Sequence, residues 1–239
     1  MIAAQQGFIL THFLLIHGGA HAGWCWDKVV PLLKGHPQVA SVNAIDLPGH
    51  GERIKDKPIE SIALNDYVDC IVQSVEQGDL DNVIIVGHSM AGISIPAAVA
   101  QMSERIARVV MLSTAQPAVG KSMNDLLAHP LSPVSRGVSA DFDLMFCNDV
   151  DEETKHWMIG NLCQEPPGPM GEPVTVAQIP SNVAASYVLL ERDEALPPDF
   201  QLEQAQTAGV TDIVRINAGH SVFASQPDTL ATLLLEYVS

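Results

Sequence analysis

The most informative segment of the chain is residues 83–92, Val83-Ile84-Ile85-Val86-Gly87-His88-Ser89-Met90-Ala91-Gly92. Its four β-branched residues predict a buried strand, and the pattern over residues 90–105 predicts a helix. A serine on the sharp turn between a strand and a helix is the setting in which a Gly-x-Ser-x-Gly motif carries chemistry. Ala91 replaces the second glycine of that motif, and Gly92 follows one place later. The pattern predicts a Ser89 hydroxyl above the strand end, with the Met90 N–H facing the same space. The alternative is a turn that only connects the two elements.

Five more aliphatic runs predict strands covered on both faces: residues 13–16, 41–45, 109–112, 187–190 and 212–216. Amphipathic stretches between them, such as residues 64–77 and 229–238, predict helices. This alternation indicates an α/β fold with a mostly parallel central sheet flanked by helices. Pro96 lies inside the helix predicted for residues 90–105, where we expect it to cause a kink.

The alternation breaks between about residues 117 and 181, where eight prolines interrupt the chain. One helical pattern remains there, over residues 151–162. The segment is too broken to build a second sheet. We therefore expect residues 1–239 to fold as one domain, with residues 117–181 inserted as a cap over one edge of the sheet.

Composition narrows the classes of function. Lys plus Arg is 12 against 28 for Asp plus Glu, which gives a formal charge of −16. That balance argues against nucleic acids and anionic membranes as partners, because both bind basic surfaces. The four cysteines lack CxxC spacing, which predicts free thiols. Because no basic signal region and no apolar run of membrane-spanning length is present, we expect a soluble, cytoplasmic protein, and a homodimer is left open.

A second glycine-rich loop, His17-Gly18-Gly19-Ala20-His21, follows the first predicted strand. Acyl transfer needs two backbone N–H groups aimed at the developing oxyanion. Because glycine lets the backbone approach a substrate closely, we assign the donor that accompanies Met90 to Gly19. A plain flexible loop is the alternative. His17 and His21 are interpreted as structural hydrogen-bonding residues.

His220 lies just past the last predicted strand, where the base is expected in the chain order Ser…Asp…His. Histidine is the side chain type whose ordinary pKa suits a general base near neutral pH. Acidic residues follow the preceding strand, and among them we choose Asp193 as the carboxylate that orients the imidazole. Glu194 and Asp199 are the alternatives. Two further histidines are not expected to act as the base: His50 and His88.

Together these motifs resemble the α/β-hydrolase superfamily and, in detail, its methylesterase and hydroxynitrile-lyase family. The segment from Leu15 to Trp26 resembles that family's opening motif, a His-Gly followed by His-Gly-x-Trp-x-Trp, slightly changed at His21-Ala22-Gly23-Trp24. Three further segments resemble the serine turn, the acid-bearing loop and the histidine loop of the family: residues 87–92, residues 193–201, and Gly219-His220 with Gln226-Pro227. The likeness covers the catalytic half of the chain, and the cap matches only loosely.

The lyases of this family are similar in carrying a threonine in the oxyanion loop and a lysine directly after the catalytic histidine. This chain has Gly18 and Ser221 at those positions. The resemblance therefore implies an esterase that hydrolyses small methyl or aryl esters through Ser89, His220 and Asp193, without a metal or organic cofactor. A lyase-like enzyme and a slowly hydrolysing small-molecule receptor on the same fold stay open.

Apolar residues in the oxyanion loop, the cap and the histidine loop are candidates for the substrate pocket, with ordinary core packing as the alternative for each. The candidates are Gly18, Trp24, Phe142, Met145, Phe146, Trp157 and Phe223.

Overall fold

A computed structural model describes residues 10–137 and 142–238. Within them the chain forms a six-stranded sheet in which all neighbouring strands are parallel. The strands are β1 (Thr11–Ile16), β2 (Val39–Ile45), β3 (Val83–His88), β4 (Ile106–Leu112), β5 (Ala184–Leu190) and β6 (Asp212–Ile216). They lie side by side in the order β2-β1-β3-β4-β5-β6. The six predicted strands and the predicted fold class are confirmed. The prediction that every strand is covered on both faces is wrong for β2 and β6, which form the two edges of the sheet and are only partly buried.

Helices cover both faces of the sheet, because alternate residues of its strands are apolar on each side. In β3, Val83 and Ile85 enter one apolar layer, and Ile84 and Val86 enter the other. The α-helices of the described residues are α1 (Val30–Lys34), α2 (Leu64–Glu76), α3 (Ile95–Gln101), α4 (Met123–Leu127), α5 (Phe142–Cys147), α6 (Glu152–Asn161), α7 (Pro167–Gly171), α8 (Pro198–Thr207), α9 (Val222–Ser225) and α10 (Pro227–Leu235). The helices predicted for residues 64–77, 151–162 and 229–238 correspond to α2, α6 and α10.

The segment after β3 differs from the helix predicted for residues 90–105. It begins with a short 3-10 turn, Ser89–Ile93, and α3 starts only at Ile95. Pro96 therefore lies in the first turn of α3, where a proline removes no helical hydrogen bond. The predicted kink is wrong, because the turn that carries Ser89 ends before the proline.

The chain between β4 and β5 contributes α4 to α7, which lie within residues 117–181. α6 begins where the sequence indicated, because the Asp151 carboxylate accepts a hydrogen bond from the Thr154 N–H at 2.8 Å and caps the helix. The four cysteines are free thiols, as predicted. Over residues 10–137 and 142–238, no helix is both long and apolar enough to cross a lipid bilayer.

Candidate active site

Ser89 stands at the carboxyl end of β3, within the sheet, and has a backbone φ of 51°. A positive φ is strained for a residue with a side chain, and close packing on both sides maintains it here. A Cβ at Gly87 would lie 2.0 Å from Ile95 Cδ1, and a Cβ at Gly92 would lie 2.3 Å from the backbone oxygen of Ala115. The flanking glycines therefore allow the sharp turn, and Ser89 is only half-buried at its tip.

His220 and Asp193 form a buried hydrogen-bonded pair. The Nδ1–H of His220 donates to Asp193 Oδ2 at 2.7 Å, and neither side chain has solvent exposure. The other ring nitrogen, Nε2, is buried and has no hydrogen-bond partner among the described residues. The imidazole ring lies 4.5 Å from the ring of His88, the residue before Ser89. The pair thus lies beside the serine turn and has a ring nitrogen available to accept a proton.

Three further donors hold the Asp193 carboxylate. Oδ1 accepts from the N–H groups of Ala195 and Leu196 at 2.8 Å each, and Oδ2 accepts from Ser113 Oγ at 2.6 Å. Because four hydrogen bonds converge on this carboxylate, its orientation toward the imidazole is fixed. The two alternative acids, Glu194 and Asp199, are exposed.

The loop after β1 lies directly against the serine turn. A Cβ at Gly18 would lie 2.8 Å from Ser89 Cβ, so only glycine fits there without a shift of the loop. A Cβ at Gly19 would lie 3.2 Å from Met90 Sδ. The two residues predicted to supply oxyanion donors, Gly19 and Met90, therefore come from adjacent segments beside the serine. Backbone N–H groups in such an arrangement can stabilise a tetrahedral oxyanion.

A serine turn after β3, an acid after β5 and a histidine after β6 are thus gathered at one edge of a parallel sheet. The family model described as "Alpha/beta hydrolase family" matches residues 13–233. The chain belongs to this family.

This α/β hydrolase is similar to Methylesterase 9 of Arabidopsis thaliana, at 25% identity over 95% of this chain and 98% of the relative. It is also similar to Salicylic acid-binding protein 2 of Nicotiana tabacum, at 26% identity over 94% of this chain and 96% of the relative. It superposes on an extracellular alpha/beta-hydrolase from a Paenibacillus species with a TM-score of 0.79 and 24% identity, covering 96% and 99% of the two chains. The predicted resemblance to the methylesterase family is confirmed.

Three histidines beside the serine turn of the hydrolase are buried. Burial lowers the pKa of His17 and His88 well below the ordinary histidine value, and it lowers the pKa of His21 to about 4. All three are therefore neutral at pH 7. The Nδ1–H of His21 donates to the carbonyl oxygen of Gly19 at 2.7 Å, and the Nε2–H of His88 donates to that of His220 at 3.0 Å. These bonds hold the site loops, which supports a structural role rather than that of a base.

Part of the predicted pocket lies close to the candidate base of the hydrolase. The Phe146 ring lies 5.1 Å from the His220 ring and 4.7 Å from the Phe142 ring. The Trp24 ring lies 5.0 Å from the Trp157 ring in an edge-to-face contact. These four aromatic side chains are only partly buried, and three of them lie on α5 and α6, between β4 and β5. They are therefore available as apolar surface near the site.

Two other predicted pocket residues are placed less favourably. Phe223 is fully buried in the same apolar layer as Trp26, and its ring lies 5.1 Å from that of His88. Its position corresponds to the core packing that was the alternative for each of these residues. Met145 is buried on α5.

Sequence reasoning missed two acids that connect the site loops of the hydrolase to the segment between β4 and β5. Asp149 Oδ2 accepts from the Gly219 N–H at 2.6 Å, one residue before His220. Glu165 Oε2 accepts from the Ala20 N–H at 2.7 Å, one residue after Gly19. Neither acid belongs to a recognisable motif, and the sequence alone does not separate them from the other acidic residues of this acidic chain.

Proposed function

We propose that this protein is a serine carboxylesterase that hydrolyses small carboxylic esters through an acyl-enzyme on Ser89. The observation that carries the proposal is the buried bond of 2.7 Å between His220 Nδ1 and Asp193 Oδ2, with His220 Nε2 left unpaired beside the serine turn. A histidine oriented by a carboxylate is what a serine needs to become a nucleophile.

Acylation is the first half of the proposed reaction. His220 Nε2 takes the proton of the Ser89 hydroxyl as Oγ attacks the ester carbonyl carbon. Asp193 stabilises the resulting imidazolium and stays ionised. The N–H groups of Gly19 and Met90 stabilise the negative charge that develops on the carbonyl oxygen. The tetrahedral intermediate then collapses, and Nε2 returns the proton to the leaving alcohol.

Deacylation repeats these steps with water as the nucleophile. His220 Nε2 removes a proton from water while its oxygen attacks the acyl carbon, and the same two N–H groups hold the second oxyanion. Collapse breaks the bond to Ser89 Oγ, which recovers its proton from Nε2, and the carboxylic acid leaves.

The surroundings of the site favour neutral esters with an apolar group. Phe146 lies next to His220 and Phe142 lies against Phe146, and the two rings offer aromatic surface to a substrate. The formal charge of −16 disfavours anionic substrates at long range. Methylesterases are among the relatives, and small methyl or aryl esters are therefore the substrate class that we propose.

An esterase is better supported than a lyase. The Gly18 position has no room for a side chain, because a Cβ there would lie 2.8 Å from Ser89 Cβ. Ser221, after the candidate base, is fully buried and uncharged, so it offers departing cyanide no cation. A receptor that hydrolyses slowly is the other alternative, and turnover separates it from an esterase.

The proposal is tested by steady-state hydrolysis of p-nitrophenyl acetate and of an aromatic methyl ester. We expect multiple turnover by the wild type and a loss of about 10⁴-fold or more in kcat for Ser89→Ala. Ser74→Ala is the matched control, because Ser74 lies on α2 and its hydroxyl donates to the Cys70 carbonyl oxygen of the same helix. A single burst without turnover would favour the receptor, and robust cyanide release from mandelonitrile would overturn the choice of esterase over lyase.

A further inference from the structure

Glu165 lies in the segment between β4 and β5, and its carboxylate accepts hydrogen bonds from three donors that precede β3 in the chain. Oε2 accepts from the Ala20 N–H at 2.7 Å and from the His50 Nε2–H at 3.1 Å, and Oε1 accepts from the Tyr67 hydroxyl at 2.8 Å. The Glu165 side chain is only 15% exposed. A carboxylate with so little access to water needs hydrogen-bond donors, and these three donors occupy both of its oxygens.

Two of these partners, Tyr67 and Ala20, keep their donor roles at neutral pH. Burial, and then the nearby charge of Glu165, raise the pKa of Tyr67 well above its ordinary value, so its hydroxyl keeps its proton. The Ala20 N–H is a backbone donor and does not titrate. The contact is therefore built from groups that stay in place, and it is not a chance encounter of surface charges.

Both backbone groups of Ala20 are bound by the same short stretch of the chain. Its N–H donates to Glu165, and its carbonyl oxygen accepts from the Cys163 N–H at 3.0 Å. Ala20 has a φ of 59°, which costs free energy for a residue with a Cβ and needs support from neighbouring groups. Residues 163–165 thus hold the oxyanion loop in a conformation that it would not favour by itself.

Gly19 is directly affected, because it precedes Ala20 and lies beside the carboxylate. A Cβ at Gly19 would be 3.4 Å from Glu165 Oε2 and 3.2 Å from Met90 Sδ. A rotation of the peptide between Gly19 and Ala20 would break the Glu165 bond and change the backbone of Gly19. The Gly19 N–H belongs to the preceding peptide, so such a rotation reaches it through the Gly19 backbone. Because a misaligned donor loses most of its effect on a developing oxyanion, we expect the Gly19 N–H to act less well once this contact is lost.

We propose that Glu165 is a positioning residue that fixes the Gly19–Ala20 turn and so completes the oxyanion hole. This inference rests on the proposed function, since it assigns the Gly19 N–H to the oxyanion. If Glu165 has this role, rapid acyl transfer requires that residues 163–165 contact the loop after β1.

Two substitutions at Glu165 separate the effect of its hydrogen bonds from the effect of its charge. Glu165→Met keeps the length of the side chain and removes both acceptors, which releases the Ala20 N–H. Glu165→Gln keeps one acceptor oxygen and removes the charge. We expect kcat for p-nitrophenyl acetate to fall by about 10- to 100-fold in Glu165→Met, because one oxyanion donor is misaligned. KM should stay within about threefold, because the loss falls on the transition state, and Glu165→Gln should recover most of kcat.

Glu172 provides a matched control on the same segment. Its Oε2 accepts from the Leu64 N–H at 2.9 Å, so it also ties residues between β4 and β5 to the sheet domain, but at the start of α2. Glu172→Met removes a hydrogen bond of the same kind, between a carboxylate of the segment that joins β4 to β5 and a backbone N–H, but it leaves the loop after β1 unchanged. We expect it to lower the melting temperature about as much as Glu165→Met does, while kcat stays unchanged.

The second readout is the rate at which a fluorophosphonate probe labels Ser89, followed by mass spectrometry. Phosphonylation develops negative charge on a phosphoryl oxygen in the oxyanion hole and needs no turnover. We expect slower labelling in Glu165→Met only. Equal labelling and equal kcat in Glu165→Met and Glu172→Met would overturn the inference and leave the esterase proposal intact. A wild type that neither labels nor turns over would instead overturn the proposed function, and this inference with it.

Discussion

Gly92 lies where the serine turn passes the segment that follows β4. A Cβ at this position would lie 2.3 Å from the Ala115 backbone oxygen, an atom that cannot move aside without moving the chain. The Ala115 N–H donates to the carbonyl oxygen of Ser89 at 2.9 Å. Gly92 therefore permits the close approach through which the next segment supports the strained serine, and this explains a glycine one place beyond the usual motif.

We expect Gly92→Ala to lower the free energy of unfolding by about 1–3 kcal/mol, the usual cost of an overpacked buried site. Its kcat should also fall, because relief of the clash displaces Ser89. Gly160→Ala is the control: Gly160 is exposed on α6, a Cβ there meets nothing within 4 Å, and alanine favours the helix. Urea unfolding and p-nitrophenyl acetate hydrolysis measure both effects. A Gly92→Ala protein as stable and as active as the wild type would contradict the assignment.

Some positions of the site could be predicted at the residue scale, and others could not. Ser89, Asp193 and His220 each follow a strand of the sheet, and the aliphatic run of that strand is visible in the sequence. Glu165 carries no such signal. Its partner at the oxyanion loop is the backbone N–H of Ala20, which any residue would offer, and 145 positions separate the two.

The elements show a second limit of sequence reasoning, in the segment after β3. Apolar periodicity continues over residues 90–105, yet the structure changes from a 3-10 turn to α3 within this range. Both helical forms keep a buried face, so a pattern of apolar residues does not reveal the change of pitch. Pro96 is the residue that carried the information, since proline favours the first turn of a helix.

The turn after α5 contacts both the loop that follows β5 and the loop that follows β6. Asp149, just after α5, accepts from the Gly219 N–H at 2.6 Å and from Ser225 Oγ at 3.0 Å. Asn148, its neighbour, donates to the carbonyl oxygen of Arg192 at 2.7 Å. The same turn of the chain thus touches the loops that carry His220 and Asp193, and we expect it to set the distance between them.

Replacement of Asp149 tests this connection. We expect Asp149→Ala to lower kcat by about 10- to 100-fold, because a displacement of His220 of the order of 1 Å is enough to do so. Asp151→Ala is the control, since Asp151 caps α6 through the Thr154 N–H and has no bond to either site loop. It should weaken α6 while kcat stays unchanged. If the two variants lose kcat equally, the effect belongs to the stability of the segment and not to His220.

At the scale of the whole molecule, the buried neutral histidines give stability a defined dependence on pH. Burial lowers the pKa of His17, His21 and His88 in the folded state, that of His21 from 6.5 to about 4. An unfolded chain binds protons at these residues below about pH 6.5, whereas the folded chain does not. The stability that they contribute is therefore present above pH 6.5 and is lost as the pH falls.

We expect the free energy of unfolding to decrease between pH 6.5 and 5, by up to about 4 kcal/mol per pH unit for three buried histidines. Most carboxylates titrate below this window, at about pH 4. In His21→Asn the amide still reaches the Gly19 carbonyl oxygen, and the slope should fall by about 1.4 kcal/mol per pH unit because one titrating group is removed. Urea unfolding at fixed ionic strength measures the slope. A free energy of unfolding that stays level or rises on acidification would contradict this assignment.

The order of the strands along the chain has a consequence for biosynthesis. The serine turn is complete once residue 93 has left the ribosome, whereas β5 and β6, which precede the acid and the base, end at Leu190 and Ile216. Proteins are made and folded from the amino terminus, and a serine hydroxyl without a base is a weak nucleophile. A nascent chain would carry its serine for most of translation without a base to activate it, and the onset of ester cleavage would report that the last strand has docked.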